Sequence, residues 1–186
     1  MNNFNVFSLP LPGLRLVCRK QLGDQRGFLS RLFCFEELAS IGWSKPIAQI
    51  NHTYTAKQGT VRGLHFQRPP HSEMKLVTCI RGKIWDVAVD IRLHSPSFLK
   101  WHAEYLSVDN GNSLLIPEGF AHGFQAMTDD VEIIYCHSAA YYPDAEAGLN
   151  VQDPILAIDW KKTITELSER DKNNPFIETD FKGVLL

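Results

Sequence analysis

Apolar and polar positions alternate along most of this chain, in short runs divided by glycine and proline. The opening stretch to about residue 22 puts Leu14, Leu16 and Cys18 on one face and Arg15, Val17 and Arg19 on the other, which predicts a strand. A glycine-flanked turn, Gly23 to Phe28, follows and carries Arg26. From Ile47 onward the strand-like runs come in quick succession: 47–55, 60–67, 75–80, 83–91, 103–108, 113–117, 123–127 and 131–136. Helical signals are few. Phe35 to Ile41 predicts one short helix closed by Gly42 in a C-cap role. Thr163 and Glu166 have the spacing of a capping box, predicting a second helix through about Glu169 within a C-terminal helical segment of about 160–186. Many short strands with few helices make an antiparallel sandwich or barrel.

The alternation also assigns faces. Trp85, Val87, Val89 and Ile91 share one side of their run, and Asp86, Ala88 and Asp90 share the other, so two acids point the same way. Near the end of the strand-rich region Val131, Ile133 and Tyr135 lie opposite Glu132 and Ile134. Tyr135 is therefore either a core aromatic or a phenol lining a cavity, and the pattern leaves both open.

Composition narrows the class. A length of 186 residues supports one domain, 1–186, and a content of 44% hydrophobic and 22% charged residues is that of a globular protein. A net charge of −2 gives no whole-molecule attraction for nucleic acid or for acidic membranes. Cys18, Cys34, Cys79 and Cys136 are widely spaced without a CxxC, which points to free thiols in a reducing compartment. The N-terminal residues lack a basic segment followed by an apolar one, and no run of about 18 apolar residues occurs, so the expectation is a cytoplasmic protein.

The chemistry concentrates between Gly59 and Val77, where Arg62, His65, Gln67, Arg68, His71, Glu73 and Lys75 crowd a segment flanked by apolar runs. Such a strand lines a cavity more readily than it faces bulk water. Two kinds of chemistry fit. A metal site would use His65 and His122 with Glu73 or His71, although Gln67 stands where a second ligand on the same strand would be needed and amides are poor ligands for such metals. Proton transfer beside a ketone needs a base, a cation for the enolate oxygen and an acid on the opposite face. Histidine, lysine and tyrosine supply those groups, with an aspartate to fix the histidine tautomer.

A larger set of motifs decides between them. Asp24-x-Arg26-Gly27-Phe28, Gln49-x-Asn51, Arg62-Gly63-Leu64-His65-Phe66-Gln67 with Pro69-Pro70, Lys75-Leu76-Val77, Asp86 to Arg92, Ile116 to Phe124, Tyr135 and Asp153-Pro154 resemble, in order and spacing, the dTDP-4-dehydrorhamnose 3,5-epimerase family. The resemblance implies a mainly β, double-stranded β-helix of the cupin type, a jelly-roll barrel with a few short helices. It implies catalysis without a metal or other cofactor, a nucleotide-sugar substrate and a homodimer in which the N-terminal strands of about 1–22 are exchanged. It also implies roles: His65 as base, Asp171 as its partner, Tyr135 as the opposing acid and Lys75 as the enolate cation. By the same resemblance Arg62, Gln49, Asn51 and His122 line the sugar and diphosphate pocket, Tyr141 closes it, and Arg26 with Phe28 reaches the nucleotide. Leu29 and Arg31 depart from the family pattern, in which a phenylalanine and an acid are usual. Arg31 thus reverses the local charge beside the base, leaving nucleotide preference open. The expected reaction is inversion at C3 and C5 of a dTDP-linked 4-keto-6-deoxyhexose, on the way to L-rhamnose of a cell-surface polysaccharide. The alternatives are inversion of a single carbon on a differently based nucleotide sugar, a metal-dependent cupin enzyme, and a binding module without catalysis.

Overall fold

A computed structural model describes residues 3–186; residues 1 and 2 of the expected opening strand lie outside the described residues. Two antiparallel sheets pack face to face as a cupin-like barrel. The first has the order β1 (Phe4–Ser8), β2 (Arg15–Arg19), β10 (Asn112–Ile116), β7 (Lys75–Arg81), β12 (Val131–His137), β5 (Gln49–Thr55). The second has the order β13 (Glu146–Gly148), β6 (Val61–Gln67), β11 (Phe120–Ala126), β8 (Lys83–Asp90), β9 (Trp101–Ser107). A separate hairpin, β3 (Gln21–Asp24) with β4 (Gly27–Ser30), stands apart from both.

Alternation explains where each side chain goes. Inward residues of the two sheets, among them Val77, Cys79, Leu114, Ile133, Ile84 and Phe124, form the central core. Outward residues of the second sheet, Leu64, Phe66, Val87, Val89 and Ile91, are covered by the C-terminal stretch through Leu149, Val151, Leu156, Ile177 and Val184. Outward residues of the first sheet pack on Leu38 and Trp43 around the short helix α1 (Phe35–Ala39). The inward rows change character along their length. On β12 Val131 and Ile133 belong to the core, whereas Tyr135 and His137 line a cleft; on β7 Cys79 and Val77 give way to Lys75. The cleft is the polar continuation of the core.

Strict alternation would not put Arg62 and His65 on one face, because they are three residues apart. A bulge does so: His122 pairs with His65 but Phe124 pairs with Arg62, so β6 takes one more residue than β11 over that interval. The bulge sits at Gly63, where φ is +141° and a Cβ would lie 2.6 Å from the Gly123 Cα. Only two glycines let the strands approach so closely.

Several local expectations are corrected. The opening segment is not one strand but β1, β2 and the start of the hairpin, broken at Pro10, Pro12 and Gly13. Helix α1 ends at Ala39 with Ser40 as its C-cap, and Gly42 supplies its positive φ two residues later. The capping box at Thr163 starts no helix. Val61 N–H donates to the Glu166 carbonyl and Thr165 N–H to the Gly59 carbonyl, so this segment runs extended along the start of β6. Its backbone groups are spent on the sheet edge. The helix that does form, α2 (Glu169–Lys172), begins where the predicted one ends, and Ser168 caps it by accepting the Asp171 N–H at 3.0 Å. The rest of 160–186 is not helical. Among the described residues no helix is long and apolar enough to cross a membrane, and the four cysteines are free.

The bulge makes a prediction. Gly63→Ala should cost about 2–3 kcal/mol, because the added methyl meets backbone and the residue keeps an unfavourable φ. Gly27→Ala, at φ +132° with nothing within 4 Å, should lose only the backbone contribution of about 1 kcal/mol. Urea unfolding of both variants checks the order; equal losses would contradict the steric account.

Candidate functional site

The cleft between the sheets has a volume of about 850 Å³, within the range of small-molecule sites. His65, Asp171, Tyr135, Lys75, Arg62, Gln49, Asn51, His122 and Tyr141 all line it. They come from both sheets and from the C-terminal stretch.

His65 projects inward from β6, and its Nε2 lies 2.6 Å from Asp171 Oδ1. Asp171 is 2% exposed, and its second oxygen accepts the Gly63 N–H at 3.3 Å. A carboxylate only accepts, so Nε2 carries a proton in the neutral and the charged ring alike, and in the neutral ring the lone pair is left on Nδ1. Burial works to raise the Asp171 pKa, but the bond and charge of His65, the Gly63 N–H and the Arg170 charge outweigh it and hold the carboxyl below its ordinary range. Arg170 Nη2 also reaches 2.9 Å from His65 Nε2, while its Nη1 donates to Glu146 at 2.8 Å. A protonated Nε2 cannot accept from Arg170, so the guanidinium packs beside the pair and bonds to Glu146.

Tyr135 projects from β12 on the facing sheet. Burial first, and the Asp86 charge second, push its phenol well above the ordinary range, so it is a protonated hydroxyl at neutral pH. Its ring meets His122 edge-on at 6.0 Å between centroids. His122 Nε2 lies 2.7 Å from Asp86, whose carboxyl is raised by complete burial despite the His122 charge. Asp86 and Asp90 do point the same way along β8, yet neither lines the cleft: Asp86 is fully buried behind His122, and Asp90 is tied to Arg92, Ser95 and Ser97.

Lys75 is nearly enclosed, with its Nζ 3.2 Å from Glu73 and 3.4 Å from the His65 carbonyl oxygen. Glu73 is held below its ordinary range because Lys75 and His137 outweigh the effect of burial. Arg62 is braced by the Thr55 hydroxyl at 3.0 Å and the Tyr54 carbonyl at 3.1 Å. Tyr141 N–H donates to Gln49 at 2.9 Å, and its hydroxyl donates to Glu146 at 2.7 Å.

Arg26, Phe28 and Arg31 are not brought to the cleft within this chain. Arg26 sits at the hairpin tip against Asp24, Phe28 is exposed beside it, and Arg31 pairs with Glu37. Gln67 is a clasp rather than a failed ligand: its amide donates to the carbonyls of His71 and Ala140 and accepts the Tyr142 N–H. His71 stacks on Tyr142 at 3.9 Å, away from His65. Among the described residues no three His, Cys, Asp or Glu side chains converge as a metal-ligating group. Sequence reasoning missed Arg170, Glu146 and His137. The last was visible in the alternation, since it lies two residues beyond Tyr135.

The Asp171 environment sets a pH dependence. A carboxyl depressed in the folded state stabilises above its unfolded pKa of about 4, and that contribution is lost as pH falls through the lower folded value. The stability difference between the protein and its Asp171→Asn variant should therefore be full at pH 7 and shrink below about pH 4. Urea unfolding across that window checks it.

Comparison with known proteins agrees with the geometry. The family model for dTDP-4-dehydrorhamnose 3,5-epimerase matches residues 8–179. A dTDP-4-dehydrorhamnose 3,5-epimerase of Sinorhizobium fredii is 40% identical over 173 residues, covering 90% of this chain and 87% of its own. A dTDP-4-dehydrorhamnose 3-epimerase of Streptomyces niveus is 35% identical, over 89% of this chain and 80% of its own. The crystal structure of a dTDP-6-deoxy-D-glucose-3,5-epimerase from Legionella pneumophila, in complex with dTDP-4-keto-L-rhamnose, superposes with a TM-score of 0.90 at 32% identity, covering 97% and 98% of the two chains. With the motifs, the barrel and the cleft residues in agreement, this chain belongs to the dTDP-4-dehydrorhamnose 3,5-epimerase family.

Proposed function

We propose that the cleft inverts the carbons flanking the C4 ketone of a dTDP-linked 4-keto-6-deoxyhexose, C5 and C3, with His65 as base and Tyr135 as acid. The observation that carries this is the placement of the two groups on different sheets, facing one cleft from opposite sides. His65 Nδ1 takes the proton from the carbon beside the ketone, and the C–H electron pair becomes the enolate double bond with its charge on the C4 oxygen. Lys75 meets that oxygen. Tyr135 then delivers its proton to the other face of the same carbon, re-forming the ketone with inverted configuration; solvent restores both groups. Asp171 keeps the base in the tautomer that can accept and stabilises the imidazolium. Burial keeps the Tyr135 phenol protonated at neutral pH, so the proton is present to be given. Arg62, Gln49, Asn51, His122 and Tyr141 hold the sugar and diphosphate.

The nucleotide contacts come from a second copy in this reading. The β3–β4 hairpin exposes Leu22, Phe28 and Leu29 together, more apolar surface than an isolated hairpin leaves in water, and Arg26 at its tip has no cleft of its own. A homodimer in which this hairpin enters the partner's cleft covers the surface and completes the site. Exchange then involves the hairpin rather than β1, which pairs with β2 of its own chain. Four free thiols fit a cytoplasmic enzyme.

The proposal is tested in heavy water with dTDP-4-keto-6-deoxyglucose, following deuterium by mass spectrometry. Incorporation at C3 and C5 is expected; label at one carbon only would make this a single-site epimerase, as the Streptomyces niveus relative is named. His65→Ala should abolish incorporation, and undiminished exchange in that variant would remove His65 from the role of base. Tyr135→Phe should retain exchange while inversion is lost, since the base can still take and return a proton on one face. Mixing His65→Ala and Arg26→Ala subunits should recover activity that neither variant has alone; no recovery would sink the shared site.

A further inference from the structure

The cleft holds a carboxylate–imidazole pair that none of these steps uses, Glu73 with His137. Glu73 Oε2 accepts from His137 Nδ1 at 2.8 Å while its Oε1 meets Lys75 Nζ at 3.2 Å. The Glu73, Lys75 and His137 side chains are 9%, 8% and 11% exposed, so little water screens the three groups. In register His137 stands between Gln49 on β5 and Lys75 on β7, so one cross-strand row carries all three. Its Nε2 lies 3.4 Å from Asn51 Nδ2, Asn51 Oδ1 accepts Gln49 Nε2 at 3.0 Å, and Gln49 Oε1 accepts the Tyr141 N–H. The donors agree along this row. Glu73 can only accept, so His137 Nδ1 carries hydrogen; Asn51 Nδ2 can only donate, so Nε2 keeps its lone pair.

We propose that His137 is a positioning residue for the oxyanion-binding cation: by engaging one oxygen of Glu73 it leaves the carboxylate only the other for Lys75, and its second nitrogen orients the Asn51 amide. The inference rests on the reading of Lys75 given above. Without His137, both Glu73 oxygens turn to the ammonium. A carboxylate held against Lys75 offsets positive charge where the enolate develops, and so slows its formation. The charge at Lys75 acts on the enolate far more than on the neutral ketone, so its loss falls on kcat, whereas the freed Asn51 amide falls on KM; a general packing role would not divide the two in this way.

The test is a cycle of variants read by the rate of deuterium incorporation at saturating substrate. His137→Ala should lower kcat for exchange by roughly 10- to 100-fold with a smaller change in KM. His137→Asn, whose amide nitrogen can replace the Nδ1 donor, should keep more activity than His137→Ala. Adding Glu73→Gln to His137→Ala should restore exchange by roughly tenfold, because the competing charge is gone. A double variant no better than His137→Ala, or an asparagine variant no better than alanine, would overturn the proposal; urea unfolding confirms that each variant is folded. Lys75→Ala runs in parallel. If it retains exchange, the reading of Lys75 fails, whatever His137 does. If it is inert while His137→Ala matches the wild type, the role of His137 alone fails.

Discussion

A carboxylate taken out of water must be met by donors, and the way Asp171 is met organises the stretch of chain from about residue 163 onward. Its two oxygens reach His65 and the Gly63 N–H, both on β6 and both more than a hundred positions earlier in sequence. To deliver it there, residues 163–167 run along the edge of β6, Ser168 caps the turn, and the tail beyond packs over the outer face of the second sheet. Burying Leu156, Ile177 and Val184 stabilises that path by about 1.5–3 kcal/mol for each large apolar side chain fully covered. Apolar packing thus holds a charge in place.

The cleft repeats one device with different settings. Three imidazoles, His65, His122 and His137, each meet a carboxylate through one ring nitrogen. Asp171 is held low by its donors, Asp86 is pushed up by complete burial, and Glu73 is shared with a lysine. The environment of each acid therefore matters as much as its presence. The bulge at Gly63 lets Arg62 and His65, three residues apart on one strand, enter the same cleft.

Much of this was legible in the sequence, and the gaps have physical causes. Period-two alternation placed most strands of both sheets and turned Tyr135 inward, but it merged β1 with β2, gave no sign of the three-residue β13, and is blind to a bulge, so it could not set Arg62 beside His65. Asp171 looks like a solvated helix end until a motif resemblance singles it out, because its partner lies on a distant strand. The capping-box spacing at Thr163 and Glu166 was real, yet local propensity lost to an open sheet edge that needed backbone partners. The hairpin residues Arg26, Phe28 and Arg31 belong to a surface whose use is not encoded in one chain's own contacts.

The route taken by Asp171 also bears on how the protein is made. A chain that has emerged from the ribosome only as far as residue 160 already owns every strand of both sheets, His65, Lys75 and Tyr135 included. It lacks the carboxylate that fixes the histidine tautomer and the strip that closes the edge of β6. A chain cut short before residue 171, however well its barrel closes, therefore holds His65 without the carboxylate that its Nε2 meets in the folded protein.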